Sequence, residues 1–297
     1  MELTFDGWHK SGQAFSHQGR SIFYQAAGSV GADSRASLLC IHGFPTASWD
    51  WSGLWPMLVS RFEHVLAPDM IGFGWSDKPP EYPYSIFDQA DLHEALLRAK
   101  GVTRYRVIAH DYGVTVAQEL LARDDERRRR GDHSLVLEKV CFLNGGLFPE
   151  SHRPLLIQRL MLTPLGPLLS RSLDEKKFAR SFVKTFGPNT RPSPQAVHEF
   201  FQLVLAGDGL RMFYRLFHYM PERRLHRERW VSALREASAS LRLVNGAADP
   251  ISGAHLLERY RELIPSPDTV LLPGIGHYPH VEAPQAVWRA AEPFLSG

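Results

Sequence analysis

The chain has 297 residues, 44% of them hydrophobic and 22% charged, with a formal net charge of +2. That size and composition suit one large α/β domain, or a core with a smaller insertion, and allow a substantial apolar interior. The near-neutral balance gives no reason to expect nucleic acid or an anionic membrane as the main partner, and no uninterrupted apolar stretch reaches membrane-spanning length.

The first strands are expected at residues 21–25 (Ser21-Ile22-Phe23-Tyr24-Gln25) and 37–41, and the next at His64-Val65-Leu66-Ala67-Pro68-Asp69. That third run ends in a glycine-rich loop, Gly72-Phe73-Gly74-Trp75-Ser76-Asp77-Lys78-Pro79. Ser85 is placed to cap a helix whose apolar residues Ile86, Ala90, Leu92, Ala95, Leu96 and Leu97 approximate one face. Arg106 to Ala117 reads as a buried strand, a tight turn tipped by Asp111 and a helix running to about Ala122. The arginine-rich run Arg123 to Arg130 then reads as a solvated helix end and loop. Another strand is expected from Lys139 to Leu143, and at Asn144-Gly145-Gly146 the strand rhythm stops. From about Leu147 to Trp230 the pattern is helical, broken by prolines and without a convincing buried strand. Strands resume at 241–245 and 269–272, and Pro284 opens a final helix ending near Leu295. The expected architecture is a mostly parallel sheet flanked by helices, with core residues 1–146 and 231–297 and an inserted helical cap at 147–230.

Cys40 and Cys141 each lie inside an apolar run and read as buried small hydrophobes, not as a disulfide pair. Met1-Glu2-Leu3-Thr4-Phe5-Asp6 does not resemble a charged segment followed by an apolar one, so a cytoplasmic location is expected.

Asp111 carries the chemistry. Ala109 and Gly113 lie two residues either side of it, the spacing that relieves crowding in a sharp strand-to-helix turn. Such turns usually present serine, whose hydroxyl needs a base; aspartate is ionised at neutral pH and attacks directly. Two more polar residues follow expected strands, Asp249 in Gly246-Ala247-Ala248-Asp249-Pro250 and His277 in Gly274-Ile275-Gly276-His277-Tyr278. The chain order of nucleophile, acid and histidine is that of an α/β-hydrolase triad, and all three should meet at the carboxyl ends of the strands. His42-Gly43-Phe44-Pro45 follows the strand at 37–41, so the backbone N–H groups of Phe44 and Tyr112 are the expected oxyanion hole. Asn144 is another position for the orienting group, but it lacks charge and Asp249 is preferred. His280 precedes a helix and reads as a surface or supporting residue; His42 and His110 read as structural hydrogen-bonding groups.

Through His42-Gly43-Phe44-Pro45, Gly72-Phe73-Gly74-Trp75-Ser76-Asp77, His110-Asp111-Tyr112-Gly113, Asp249 and His277, nearly the whole chain resembles the α/β-hydrolase branch of epoxide hydrolases and haloalkane dehalogenases. Within that branch it looks most similar to the mesoderm-specific transcript group, through His42-Gly43-Phe44-Pro45-Thr46, Ser85-Ile86-Phe87, Asn144-Gly145-Gly146, Phe148-Pro149-Glu150, His152-Arg153-Pro154 and His277-Tyr278-Pro279. The resemblance implies that Asp111 forms an alkyl ester with the substrate. His277, oriented by Asp249, then activates water to hydrolyse that ester, with no metal or organic cofactor.

The leaving group separates the possible reactions. Haloalkane dehalogenases typically place Trp after the nucleophile and a second donor from Asn or Trp, whereas Tyr112 and Phe44 stand here. A fluoroacetate-type site would want an arginine near the nucleophile, and the position after Asp111 offers none. Epoxide hydrolases project cap tyrosines over the nucleophile, and the cap supplies Tyr214 and Tyr219. Either is a candidate acid, and both equally suit packing in an aromatic amphipathic helix. The leading expectation is hydrolysis of a small hydrophobic epoxide to a diol. The alternatives are a dehalogenase-like reaction and a non-catalytic ligand-binding protein. The apolar run from Pro154 to Leu169, near Arg223, Arg224, Arg227 and Arg229, fits either a loose membrane contact or a lining for the substrate.

Overall fold

The computed structural model describes residues 3–30 and 37–297. Its strands are β1 (Gln13–His17), β2 (Arg20–Gly28), β3 (Ser37–Ile41), β4 (His64–Pro68), β5 (Arg104–Ala109), β6 (Val136–Phe142), β7 (Ser240–Gly246) and β8 (Thr269–Leu272). They form one sheet in the order β1-β2-β4-β3-β5-β6-β7-β8. The first two are antiparallel and every pairing from β4 onward is parallel. The expected α/β-hydrolase architecture is the observed one. β3 and β4 are buried along their whole length, as central parallel strands covered on both faces must be.

Strand β1 was not expected. Its residues Gln-Ala-Phe-Ser-His are mostly exposed and carry little apolar signal. It exists because Gln18 and Gly19, with φ of 51° and 76°, turn the chain back onto β2. Two consecutive positive φ values match the twist of a two-residue hairpin.

The arginine run also differs from its reading. The helix that begins at Tyr112 continues to Arg129, so Ala122 is not its end. Arg123 bonds Glu119 at 2.9 Å and Asp91 at 2.6 Å, Arg127 bonds Glu94 at 2.5 Å, and Arg128 bonds Asp124 at 2.6 Å. Spacings of four residues align Glu119 with Arg123 and Asp124 with Arg128, while Asp91 and Glu94 come from helix 86–99. Arg123 and Arg127 thus clamp two helices together, while Arg129 and Arg130 form the exposed helix end that was expected.

Between β6 and β7 the described residues form helices and no strand. Residues 156–161, 166–171, 175–182, 194–205 and 219–225 are short α-helices, while 206–218 are 3-10 turns kinked at Gly207 and Asp208. The aromatic segment around Tyr214 is therefore not the continuous amphipathic α-helix that its pattern suggests. Helix 227–235 straddles the expected boundary at residue 230 and packs on helix 112–129. Among the described residues, no helix is long and apolar enough to cross a membrane.

Candidate active site

The strand order reverses at β3 and β5, and the loops leaving their carboxyl ends lie side by side. Such a switch point leaves a crevice where chain segments diverge. Asp111 occupies the turn after β5 with φ 45° and ψ −107°, a left-handed conformation that a non-glycine residue rarely adopts. The turn closes only because its neighbours lack side chains. A Cβ on Gly113 would stand 2.6 Å from the carbonyl oxygens of Ile41 and His42, and one on Gly145 would stand 2.8 Å from Cα of Asp111. The Asp111 N–H donates to the Asn144 carbonyl at 2.7 Å, tying the turn to the end of β6.

Phe44 and His277 reach this carboxylate directly, and Asp249 and Asn144 stand behind His277. The Phe44 N–H donates to Asp111 Oδ2 at 3.0 Å, placing one expected oxyanion donor on the nucleophile candidate itself. Tyr112 heads helix 112–129, where first-turn N–H groups have no partner within the helix. His277, in the loop after β8, sets Nε2 3.6 Å from Asp111 Oδ1, and its Nδ1 lies 2.7 Å from Asp249 Oδ2. Asp249 follows β7 and is otherwise saturated: Oδ2 accepts from Ser252 Oγ at 2.6 Å and Asn144 Nδ2 at 2.9 Å, and Oδ1 accepts from the Ile251 N–H at 2.7 Å. Asn144 thus supports the acid rather than replacing it.

The charges reinforce one another. Burial disfavours the His277 imidazolium, but the Asp249 and Asp111 carboxylates overcome it and hold the ring above its ordinary pKa. Burial likewise opposes the two carboxylates, and the adjacent His277, by its charge and by its hydrogen bond to Asp249, holds both below theirs. These directions favour two carboxylates around one imidazolium.

The loop bearing His277 is anchored on both sides. Glu282 accepts from the backbone N–H groups of Gly276 and Gly187 at 2.8 Å each, and the Tyr278 hydroxyl donates to the Phe44 carbonyl at 2.8 Å. Neither anchor was legible before the fold was known, although both flank the His277 motif.

His42 and His110 have the expected structural parts. His42 Nε2 accepts from the Met70 N–H at 2.9 Å, and His110 Nε2 donates to the His277 carbonyl at 2.7 Å. His280 is not at the surface. It is fully buried, 4.5 Å by ring centroid from both Trp51 and His110, because the short helix 279–282 turns it inward. Asp50, His110 and His280 bring donor atoms within 4.8 Å of one another and form a buried group suited to holding a cation. None of the three lines the cavity above Asp111.

That cavity holds about 660 Å³ of empty space, part of it open to solvent. Asp111 and His277 form its floor, and Phe44, Phe178, Phe182, Phe213, Phe217 and Met161 are among its walls. Gln158, Ser181, Thr185 and Tyr278 supply its few other polar side chains. Such a lining suits a mostly apolar small molecule.

The two cap tyrosines separate. Tyr219 is 1% exposed, its ring centroid 4.9 Å from that of Tyr112 and 6.4 Å from that of Phe44. Burial and the charge of Asp111 hold its phenol above the ordinary value. Tyr214 is only partly buried, under Arg215 at 5.5 Å, and neither tyrosine is among the residues lining the cavity.

Two residues near Asp111 and His277 escaped the sequence reading. Arg223 is 2% exposed, and its guanidinium stands 4.4 Å over the Tyr219 ring. Among the described residues it has no salt bridge; Nη1 donates to the Gly146 carbonyl at 2.8 Å and Nη2 lies 3.2 Å from His152 Nδ1. Burial, then the Arg223 charge, push His152 down to about 3, so its ring stays neutral. Arg223 had been grouped with Arg227 and Arg229, yet those pair with Glu150 and with Glu119 and Glu126 on the outside. The available signal was Gly146, where a Cβ would fall 1.4 Å from Arg223 Nη1.

A model of the alpha/beta hydrolase family matches residues 38–290. The chain is 40% identical over 303 residues to the mesoderm-specific transcript protein of Mus musculus, covering all of this chain and 89% of that one. Among solved structures, the haloalkane dehalogenase DbeA from Bradyrhizobium elkani superposes with a TM-score of 0.78 at 22% identity, over 97% of this chain and 98% of that one. The epoxide hydrolase CorEH superposes with a TM-score of 0.74 at 20% identity, over 95% and 97%. Identities this low show a shared fold, not a shared substrate.

Proposed function

Because the chain belongs to the alpha/beta hydrolase family, we propose that it hydrolyses an apolar small molecule through a covalent ester on Asp111, with an epoxide as the favoured substrate. The observation carrying this reading is the Asp111 carboxylate on the floor of an apolar cavity, 3.0 Å from the Phe44 N–H and 3.6 Å from His277 Nε2. Asp111 attacks a ring carbon, the C–O bond breaks, and the oxygen takes a proton as the ester forms. Tyr219 is the proposed donor to that oxygen, because its ring packs 4.9 Å from that of Tyr112, the residue that follows Asp111.

Esterification removes the negative charge of Asp111, so His277 loses one of the two carboxylates that raise its pKa. The proton that it gives up restores the Tyr219 phenol. Neutral His277 then takes a proton from water, whose oxygen attacks the ester carbonyl, while the Phe44 and Tyr112 N–H groups hold the oxyanion. Collapse releases the diol, Asp111 as carboxylate and His277 as imidazolium, which closes the proton balance.

Asp111→Asn should abolish turnover of a panel of epoxides. His277→Gln should form the ester without hydrolysing it, so mass spectrometry of that variant should find the substrate mass on the peptide containing Asp111. Full activity in Asp111→Ala, or an adduct elsewhere, refutes the mechanism. Halide release from haloalkanes without diol formation would move the substrate class. Thermal stabilisation by panel compounds without any product would make the protein a binder.

A further inference from the structure

We infer that the outer face of the cap docks on an anionic lipid surface. This goes beyond the proposed reaction and does not depend on which bond the site cleaves. Leu156, Leu165 and Leu168 are 73%, 56% and 68% exposed, and Leu225 is 78% exposed. They sit on helices 156–161 and 166–171 and at the end of 219–225, with Leu165 capping the second of these. Helices 156–161 and 166–171 pack on each other and on residues 213–218, which lead directly into 219–225. Single exposed leucines are ordinary on a surface; four on one set of packed short helices are not.

Charge selects the partner. From residue 153 to residue 184 there are seven Lys or Arg and two Asp or Glu, whereas the whole chain has 34 against 32. Arg159, Arg171 and Arg224 are exposed and, among the described residues, have no salt bridge. Two of the arginines first associated with membrane contact, Arg227 and Arg229, are neutralised by glutamates, and Arg223 is buried, so the basic face is built from different residues. A second copy of the chain would set this cationic face against itself. Apolar insertion combined with attraction to acidic headgroups is the pattern of a protein that lies on a membrane.

The position has a use. Leu156 lies on the outside of the same short helix whose Ile157, Gln158 and Met161 line the cavity. A lipid surface covering this face is one helix away from an apolar chamber, so a lipophilic substrate would have a short path out of the bilayer.

The test is flotation of the full chain with phosphatidylcholine vesicles, with and without phosphatidylglycerol, at low and high salt. Wild type should float with the anionic vesicles at low salt and be released by high salt. Leu165→Ser/Leu168→Ser/Leu225→Ser should weaken binding about tenfold or more. Arg159→Gln/Arg171→Gln/Arg224→Gln should remove the preference for phosphatidylglycerol. Both variants should keep the wild-type melting temperature, and Asp111→Asn should float as wild type, so failure of the chemistry and failure of docking are read separately. Wild type remaining soluble at low salt overturns the inference, as does a leucine variant that floats unchanged. Retention on polyglutamate but not on vesicles would identify an acidic polypeptide instead, and a leucine-dependent dimer in sedimentation without vesicle binding would identify a second copy.

Discussion

Asp111, Asp249 and His277 stand on loops leaving strand ends, whereas Tyr219 and Arg223 come from a short helix laid over them, and the two sets are fixed in different ways. On the strand-end side, position is set by directional bonds: Asp249 accepts from three donors besides His277, and the His277 loop is held by Glu282 and Tyr278. On the cap side, position is set by packing of Tyr219 against Tyr112, with the Arg223 charge facing a carbonyl and a neutral imidazole. A bonded network loses a defined function when one atom changes. A packed aromatic layer loses rate by degrees.

The largest effect expected from this contrast is in Asp249→Asn. An amide cannot replace a carboxylate that accepts from His277 Nδ1, Asn144 Nδ2 and Ser252 Oγ at one oxygen, so the imidazole would be left in the wrong tautomer. Turnover should fall about 10⁴-fold, by analogy with loss of the orienting carboxylate in a serine triad. Ester formation on Asp111 needs no base and should be far less affected, so quenched single-turnover samples should accumulate the adduct. Equal loss in both steps would mean that Asp249 merely holds the floor of the site together.

The two sides were also unequally legible in the sequence. Positions 37–41 and 269–272 are strands with the bounds read from their apolar runs, and Ser85 caps its helix by accepting from the Asp88 N–H. Asp111, Asp249 and His277 could be placed together because each follows a strand and the strands are parallel. The cap offered no such rule. Around Met212 to Tyr219 the spacing suits an α-helix, but the chain forms 3-10 turns that send Tyr219 inward and leave Tyr214 toward Arg215. Arg223, and the surface half of the reading for His280, fail for the same reason: a charged or polar residue is assigned to solvent until the surface that buries it is known.

A smaller effect is expected from the cap side. Tyr219→Phe should slow ester formation from epoxides on the order of 10²-fold if the phenol donates its proton in that step. Tyr214→Phe should stay within about twofold, since a ring held under Arg215, away from the Asp111 turn, contributes packing alone. Arg223→Met should cost about tenfold in the same step, the scale of one hydrogen bond to a charged group, and Arg223→Lys should recover part of it. Stopped-flow measurement of the ester-forming step checks all four variants. A larger loss in Tyr214→Phe than in Tyr219→Phe would reverse the assignment of the acid and with it the contrast between the two tyrosines.

The least effect, and one confined to stability, is expected where cap and core meet at Glu222. Its carboxylate accepts from the Ile86 N–H at 3.0 Å, at the start of the core helix 86–99. Burial pushes the carboxyl up to about 7, against that hydrogen bond, which lowers it. The folded protein therefore holds this proton more tightly than the unfolded chain does. Below the unfolded value of 4.5 both states are protonated and Glu222 adds no pH dependence; between 4.5 and about 7 the unfolded chain releases its proton first and folding weakens. Above that window the penalty stays constant, at about 1 to 2 kcal/mol after allowance for partial exposure. Glu222→Gln keeps an acceptor for Ile86 but has no proton to lose. Its melting temperature relative to wild type should rise by a few degrees as pH goes from about 4.5 to 7.5. Parallel curves would mean that the positive end of helix 86–99 keeps Glu222 ionised in the fold, and that the cap is attached to the core by a charged contact rather than a protonated one.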